Sequence, residues 1–161
     1  AADDHVHPHA GERGSHLMSA FDNSRPFRTC IRLPFVKANG GCTVKIRAAG
    51  HKHGVMGITG RLDTGVTRTC LKFETARELG IDRPESVPAE RWKTSTDQEM
   101  DVYLHRIIII VDDSIGNCPA PIHFPLRAGF ALEVKRNLFG LDWLQFMCLA
   151  FDLDAAYCLV D

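Results

Sequence analysis

With 161 residues, 45% hydrophobic and 24% charged, the chain is long enough for one domain with a real core and short for two. Lys+Arg 19 against Asp+Glu 20 gives a net charge of -1, which excludes a global field that would gather nucleic acid or an anionic membrane surface. No apolar run nears the roughly 18 residues of a membrane span, the purest, residues 107–111, being of strand length.

Six cysteines, Cys30, Cys42, Cys70, Cys118, Cys148 and Cys158, lie far apart with no C-x-x-C pair, so neither a zinc knuckle nor a thioredoxin-type motif is present. An even count allows disulfides. A chain of this size does not need such staples, and reduced, mostly buried thiols in a cytoplasmic-type soluble domain are the expectation. The first residue is Ala1 with no basic-then-apolar leader after it, so localisation and an upstream targeting segment both stay open.

Residues 1–25 hold four of the eight histidines among Gly, Ser and charges and show no periodicity. They read as a flexible His-rich arm outside the fold, and Arg13-Gly14-Ser15-His16 resembles the remnant of a cleavable tag. His5-Val6-His7-Pro8-His9 brings three imidazoles together, but a tail has no fixed geometry, and no metal site is expected there. The folded domain is read over residues 26–161.

From Phe27 the chain reads as strands separated by turns. Residues 27–36 are β-rich, with Pro34 demanding an edge or a break; Asn39-Gly40-Gly41 is a turn, and residues 42–46 alternate as a strand does. Residues 55–62 form a second run, whose Gly57 and Gly60 suggest bends or a close backbone approach. The period then changes: Phe73, Ala76 and Leu79 share one helical face over 72–79, and Gly80 suits a C-cap. Pro84 and Pro88 bracket a loop. Residues 100–111 are the longest strand candidate, followed by a Gly116-Asn117 turn and a shorter strand at 122–126. Residues 141–147 have the spacing of a short helix, and 157–160 read as a terminal strand. The pattern predicts a mostly β domain with one or two short helices.

The segment with chemistry in it is Arg61-Leu62-Asp63-Thr64-Gly65-Val66-Thr67. An Asp at the end of an apolar strand, followed by a small hydroxyl residue and a glycine, presents a carboxylate on a tight turn, where backbone N–H groups can bond it. Alone, Asp-Thr-Gly is also an ordinary turn. It is followed by the short helix ending Leu79-Gly80-Ile81 and, much later, by Asn137-Leu138-Phe139-Gly140-Leu141-Asp142-Trp143-Leu144.

This ordered pair of motifs, spread over residues 27–160, resembles the retropepsin-like aspartic peptidases, the single-lobed family that includes retroviral proteases. The resemblance implies a closed, barrel-like acid-protease lobe. It makes Asp63 the catalytic acid, Thr64 and Gly65 the active-site turn, with Thr64 bridging a dimer axis, and Leu138, Phe139 and Gly140 the loop that crosses beside it. It implies a flap between Trp92 and Tyr103 with its tip near Thr96-Asp97-Gln98-Glu99, and Trp92, Tyr103 and Phe139 as cleft-wall candidates. It further implies an endopeptidase with no cofactor and no metal, acting on protein or peptide substrates as a homodimer, because one chain supplies one Asp-Thr-Gly and the mechanism needs two carboxylates. Residues 157–160 are apolar enough to interleave between the two copies.

The chain departs from the family pattern in three places. Val66 stands where Ala or Ser is usual, Arg61 replaces an apolar residue two positions before the Asp, and the flap tip has no glycine. Arg61 is expected on the same side of its strand as Asp63, facing the cleft, where its charge would lower the pH optimum or favour an acidic substrate residue; the alternative is a side chain that reaches solvent. A weakened or inactive module of the same fold, used for dimerisation or peptide binding, is therefore the second hypothesis, and an unrelated small β-barrel the third.

The remaining features are read blandly. Asp112-Asp113, and His51 with His53, suit solvated positions rather than a cation site. Ser114 has no G-x-S-x-G elbow, and no cysteine sits in a nucleophile signature. Trp92, Trp143 and Phe146 read as core or cleft-wall aromatics rather than a base-stacking platform, and no phosphate-cradling glycine loop is present.

Overall fold

The computed structural model describes residues 29–36, 41–51, 54–113, 120–151 and 154–160. The arm at 1–25, the Asn39-Gly40 turn residues, His53, Ser114, the Gly116-Asn117 turn and Cys118 lie outside the described residues. Ten strands occur in chain order: β1 Thr29–Pro34, β2 Thr43–Ala49, β3 Met56–Leu62, β4 Cys70–Lys72, β5 Ala89–Lys93, β6 Glu99–Val111, β7 Ile122–Ala131, β8 Leu138–Phe139, β9 Cys148–Phe151 and β10 Ala155–Val160. Among the described residues there are also two short helices, α1 Phe73–Glu78 and α2 Leu141–Leu144, and a 3-10 turn at Pro84–Ser86, so the domain is mostly β as the pattern predicts.

Strands β2, β3, β8, β4, β7 and β6 are bonded in that order, and β2 also pairs with β6, which closes a six-stranded barrel. Closure works because β6 is long. Its second half carries β2, with Ala48 opposite Ile109, while its first half leaves the barrel to pair with β5 as a hairpin, Trp92 opposite Met100. Alternation fills the interior: Val44, Ile46 and Ala48 of β2 and Ile107, Ile109 and Val111 of β6 are buried, while Lys45, Arg47 and Arg106 between them are exposed. Each such aliphatic side chain contributes about 1.5–3 kcal/mol on burial, whereas an exposed pair such as Arg91–Asp101 is worth at most ~1 kcal/mol, so the interior and not the surface charge holds the barrel.

A second sheet, β1-β10-β9, is antiparallel and packs Ile31, Leu33, Ala156 and Cys158 into the same core. Polar bonds lock it to the barrel. The Arg32 N–H donates to Asp113 at 3.1 Å, and the neighbouring Asp112 holds the Arg47 guanidinium, which accounts for the adjacent acids without a metal. Pro34 ends β1 on a sheet edge, as its missing N–H requires. The terminal strand differs from expectation: β10 lies between β1 and β9 of its own chain, so both of its edges are already bonded and it is not available to interleave with a second copy.

Two other elements differ in length from their sequence patterns. The strand read at 122–126 runs on to Ala131, because Ala128 and Phe130 continue the inward alternation and Gly129 leaves room for Val102 and Trp92, which a Cβ would meet at 2.5 and 3.0 Å. The helix read over 141–147 stops at Leu144, after which the Phe146 and Met147 N–H groups bond only three residues back and the chain enters β9.

Helix α1 ends as read. Gly80 has φ 77°, the Ile81 N–H bonds the Ala76 carbonyl and the Gly80 N–H bonds that of Arg77, which together make a Schellman cap. Gly80→Ala places a Cβ in the left-handed region and is expected to cost roughly 1–2 kcal/mol, measured as a lower urea midpoint at unchanged slope.

Candidate active-site cleft

Strand β3 ends at Leu62, whose burial fixes the orientation of its neighbours, and the chain turns through Asp63, Thr64 and Gly65. The Asp63 N–H bonds the Phe139 carbonyl at 2.9 Å, and the Val66 N–H bonds the Asp63 carbonyl at 3.2 Å. The Gly65 N–H donates to Asp63 Oδ1 at 3.0 Å, which aims the carboxylate. Asp63 is half-buried, and Thr64 and Gly65 are exposed. Gly65 is not among the residues with positive φ. Its value is close approach, since a Cβ there would stand 3.2 Å from Asp63 Oδ1.

Residues 137–142 pass beside this turn at backbone contact. A Cβ on Gly140 would lie 2.5 Å from the Arg68 carbonyl carbon, and one on Gly60 would meet the Phe139 ring at 2.6 Å. The crossing is saturated with hydrogen bonds. Asn137 Oδ1 accepts from the Lys72 N–H at 2.8 Å and the Thr75 hydroxyl at 3.1 Å, and its Nδ2 donates to the Thr59 carbonyl at 3.0 Å. Asp142 accepts from the Thr69 N–H at 2.9 Å and hydroxyl at 2.7 Å, the Thr69 Oγ1 accepts from the Gly140 N–H, and the Leu141 N–H bonds the Val66 carbonyl. The sequence motif points to Leu138, Phe139 and Gly140 and assigns no role to Asn137, Asp142 or Thr69. The available signal was two polar residues bracketing an apolar stretch, which burial obliges to find partners.

The Asp63 turn lines a cleft of about 980 Å³ whose other walls are the β5–β6 hairpin and the connection between β7 and β8. Asp63, Gly65, Trp92 and Leu138 of the predicted set line it; Arg68, Glu90, Lys93, Glu133, Lys135 and Arg136 join them without having been predicted. Trp92 is fixed there by its indole N–H, which donates to Glu90, and by the Arg68 guanidinium 6.0 Å from the ring centre. The hairpin turns at 94–98, inside the 92–103 span read for it, with Glu99 of the expected tip already in β6. It does so without glycine because Asp97 itself takes φ 58°, a conformation Asp tolerates, and because the Thr94 hydroxyl accepts from the Thr96 and Gln98 N–H groups. Thr96 and Asp97 sit at this exposed tip and do not line the cleft.

Three candidates lie elsewhere. Tyr103 packs edge-on against Phe73 with ring centres 6.0 Å apart. Phe139 is fully buried in the core beside Trp143, whose own indole N–H has no partner among the described residues. Arg61 is exposed and outside the cleft lining, which agrees with the solvent-reaching alternative.

A solved structure from Rickettsia conorii, a retropepsin-like aspartic protease, is similar to this chain with a TM-score of 0.56 at 17% identity, covering 80% of this chain and 98% of that one. The chain has a retropepsin-like fold. Two further structures are similar at lower scores. EIAV protease complexed with the inhibitor HBY-793 gives TM-score 0.43 at 14% identity over 64% of this chain and 84% of that one. The retroviral protease-like domain of Ddi1 from Leishmania major gives 0.42 at 12% identity over 71% and 84%. No family model and no curated protein sequence matches the chain.

One thiol lines the cleft of this retropepsin-like fold. Burial, with a smaller contribution from the charge of Glu133, pushes Cys70 up to about 12. Its thiolate is therefore scarce at any pH near neutrality, which makes it a poor nucleophile despite its position. Peptide mapping after iodoacetamide at pH 8 is expected to find Cys42 and Cys148, both half-buried, alkylated well before Cys70. The crossing predicts a stability effect: Asn137→Ala leaves the Lys72 N–H and the Thr75 hydroxyl without their acceptor and is expected to cost about 2–4 kcal/mol in urea unfolding.

Proposed function

We propose that the chain is an aspartic endopeptidase that works as a homodimer, with Asp63 of each of two copies forming the catalytic dyad. The observation that carries this is the Asp63 carboxylate, aimed by the Gly65 N–H into a cleft that a hairpin lines from the opposite strand pair, in a retropepsin-like fold. Two facing carboxylates share one proton. The ionised one takes a proton from water as the water oxygen attacks the peptide carbonyl carbon, and the protonated one donates to the carbonyl oxygen; the C–N bond then breaks as the amine is protonated. The sequence holds one Asp-Thr-Gly, so the second carboxylate comes from a second copy, and the exposure of Thr64 and Gly65 leaves the turn open to meet its mate.

The geometry also suits an extended peptide. Strand β5 ends the sheet order and among the described residues pairs only with β6, so its outer edge offers main-chain donors and acceptors along the cleft. Trp92, Met100, Val134 and Leu138 give that cleft an apolar wall, which supports apolar side chains beside the scissile bond.

Hydrolysis of an unbiased peptide library, blocked by pepstatin and reduced at least 1000-fold by Asp63→Asn, is the expected outcome. Mixing tests the shared dyad. With increasing Asp63→Asn protein, activity should fall with the square of the wild-type fraction, because a mixed dimer has one carboxylate. A linear fall, or full activity in a species that sediments as a monomer, contradicts the homodimer; peptide binding without turnover by the wild type favours the non-catalytic module.

A further inference from the structure

The cleft carries more positive charge than the chain around it. Five cationic and three acidic side chains line it, although the whole chain has a net charge of -1. Two of the cations are engaged within the fold: Arg68 lies 3.5 Å from Glu90, and Arg91 lies 3.0 Å from Asp101 and 3.9 Å from Glu99. Lys93, Lys135 and Arg136 have no ion-pair partner among the described residues, and all three are exposed. They belong to two different walls, Lys93 to the end of β5 and Lys135 with Arg136 to the connection between β7 and β8. Against them stand Glu133 and Asp63, whose charge the proposed dyad shares with a proton.

We propose that Lys93, Lys135 and Arg136 select substrates carrying Asp or Glu on either side of an apolar cleavage pair. The proposal rests on the peptidase reading and adds the substrate class to it. Its physical basis is spatial order: Trp92, Met100, Val134 and Leu138 make the apolar wall, and unpaired cations stand at two margins of the same cleft. Complementary charge placed this way discriminates among peptides rather than drawing all of them in, because the chain as a whole is close to neutral. Exposed ion pairs are individually weak, so each is expected to change kcat/KM only about two- to fivefold.

The test uses three peptides with the same central apolar pair, flanked on both sides by Glu, Gln or Lys. The wild type at pH 6 is expected to cleave them in the order Glu, Gln, Lys, with Glu over Lys by about tenfold or more. The ratio should shrink in 0.5 M salt, and the preference for Glu over Gln should disappear as the pH falls below about 4, where Glu loses its charge while Lys and Arg keep theirs. Lys93→Gln should reduce the ratio about twofold, and Lys135→Glu combined with Arg136→Glu should invert it. The Asp63→Asn protein, titrated with the same peptides carrying a fluorophore, reads the selectivity without turnover and covers the case in which the double variant fails to fold. Tighter binding of the Glu peptide to that protein, with no cleavage of any peptide by the wild type, retains the selectivity and overturns the peptidase reading. Equal cleavage of all three peptides, or a ratio that salt and pH leave unchanged, overturns the selectivity and retains the peptidase reading.

Discussion

The structure depends on two chain segments crossing with nothing between them. Gly140 passes the backbone of Arg68 and Thr69 so closely that a Cβ there would stand 2.5 Å from the Arg68 carbonyl carbon, well inside van der Waals contact. Such proximity excludes water, so every peptide group at the crossing needs a protein partner. Asn137, Thr69 and Asp142 supply them, and each bonds more than one group. The same segment contributes β8, which joins β3 to β4 inside the barrel, and the carbonyl that holds the Asp63 N–H. Barrel closure and carboxylate placement are thus one constraint expressed at two scales.

Strand β6 does for the cleft what the crossing does for the turn. Its thirteen residues serve two partners in succession, β2 within the barrel and β5 outside it, so the hairpin grows from a strand anchored in the core. Trp92, Met100, Val102, Leu104, Ala131 and Val134 form a second, smaller apolar cluster under the hairpin. The barrel core and this cluster divide the labour. One fixes Asp63, and the other fixes the wall facing it, with Glu90 holding both the Trp92 indole and the Arg68 guanidinium.

Much of the fold was legible because its longer elements carry their own periodicity. The alternation of β2 and β6, the helical face of Phe73, Ala76 and Leu79, and the Gly80 cap are local features that tertiary contacts reinforce. The strands without a period of their own are β4, β8 and β9, with three, two and four residues, and β5, whose five residues are exposed except for a half-buried Trp92; they exist because partners stand beside them. At the candidate site the Asp-Thr-Gly turn and the apolar-apolar-Gly crossing were legible as motifs, and Trp92 as a wall. Arg68, Glu133, Lys135 and Arg136 were not, because exposed charges in loops have no pattern until the barrel brings two loops together. Tyr103 failed for a related reason: its parity on β6 sets it against Phe73, which only the position of α1 decides.

The departures from the family pattern weigh less once their surroundings are known. Val66 is half-buried at the cleft, and its backbone is bonded on both sides, its N–H to the Asp63 carbonyl and its carbonyl to the Leu141 N–H, so the turn is set by main-chain bonds that any residue can make. The hairpin tip lacks glycine, yet Asp97 reaches the left-handed region itself and the Thr94 hydroxyl gathers the N–H groups around it. Arg61 lies outside the cleft lining, so its charge does not belong among the cations that face Asp63. Each substitution falls where the backbone, rather than the side chain, carries the geometry. What distinguishes this cleft is the charge its loops place around an otherwise apolar wall.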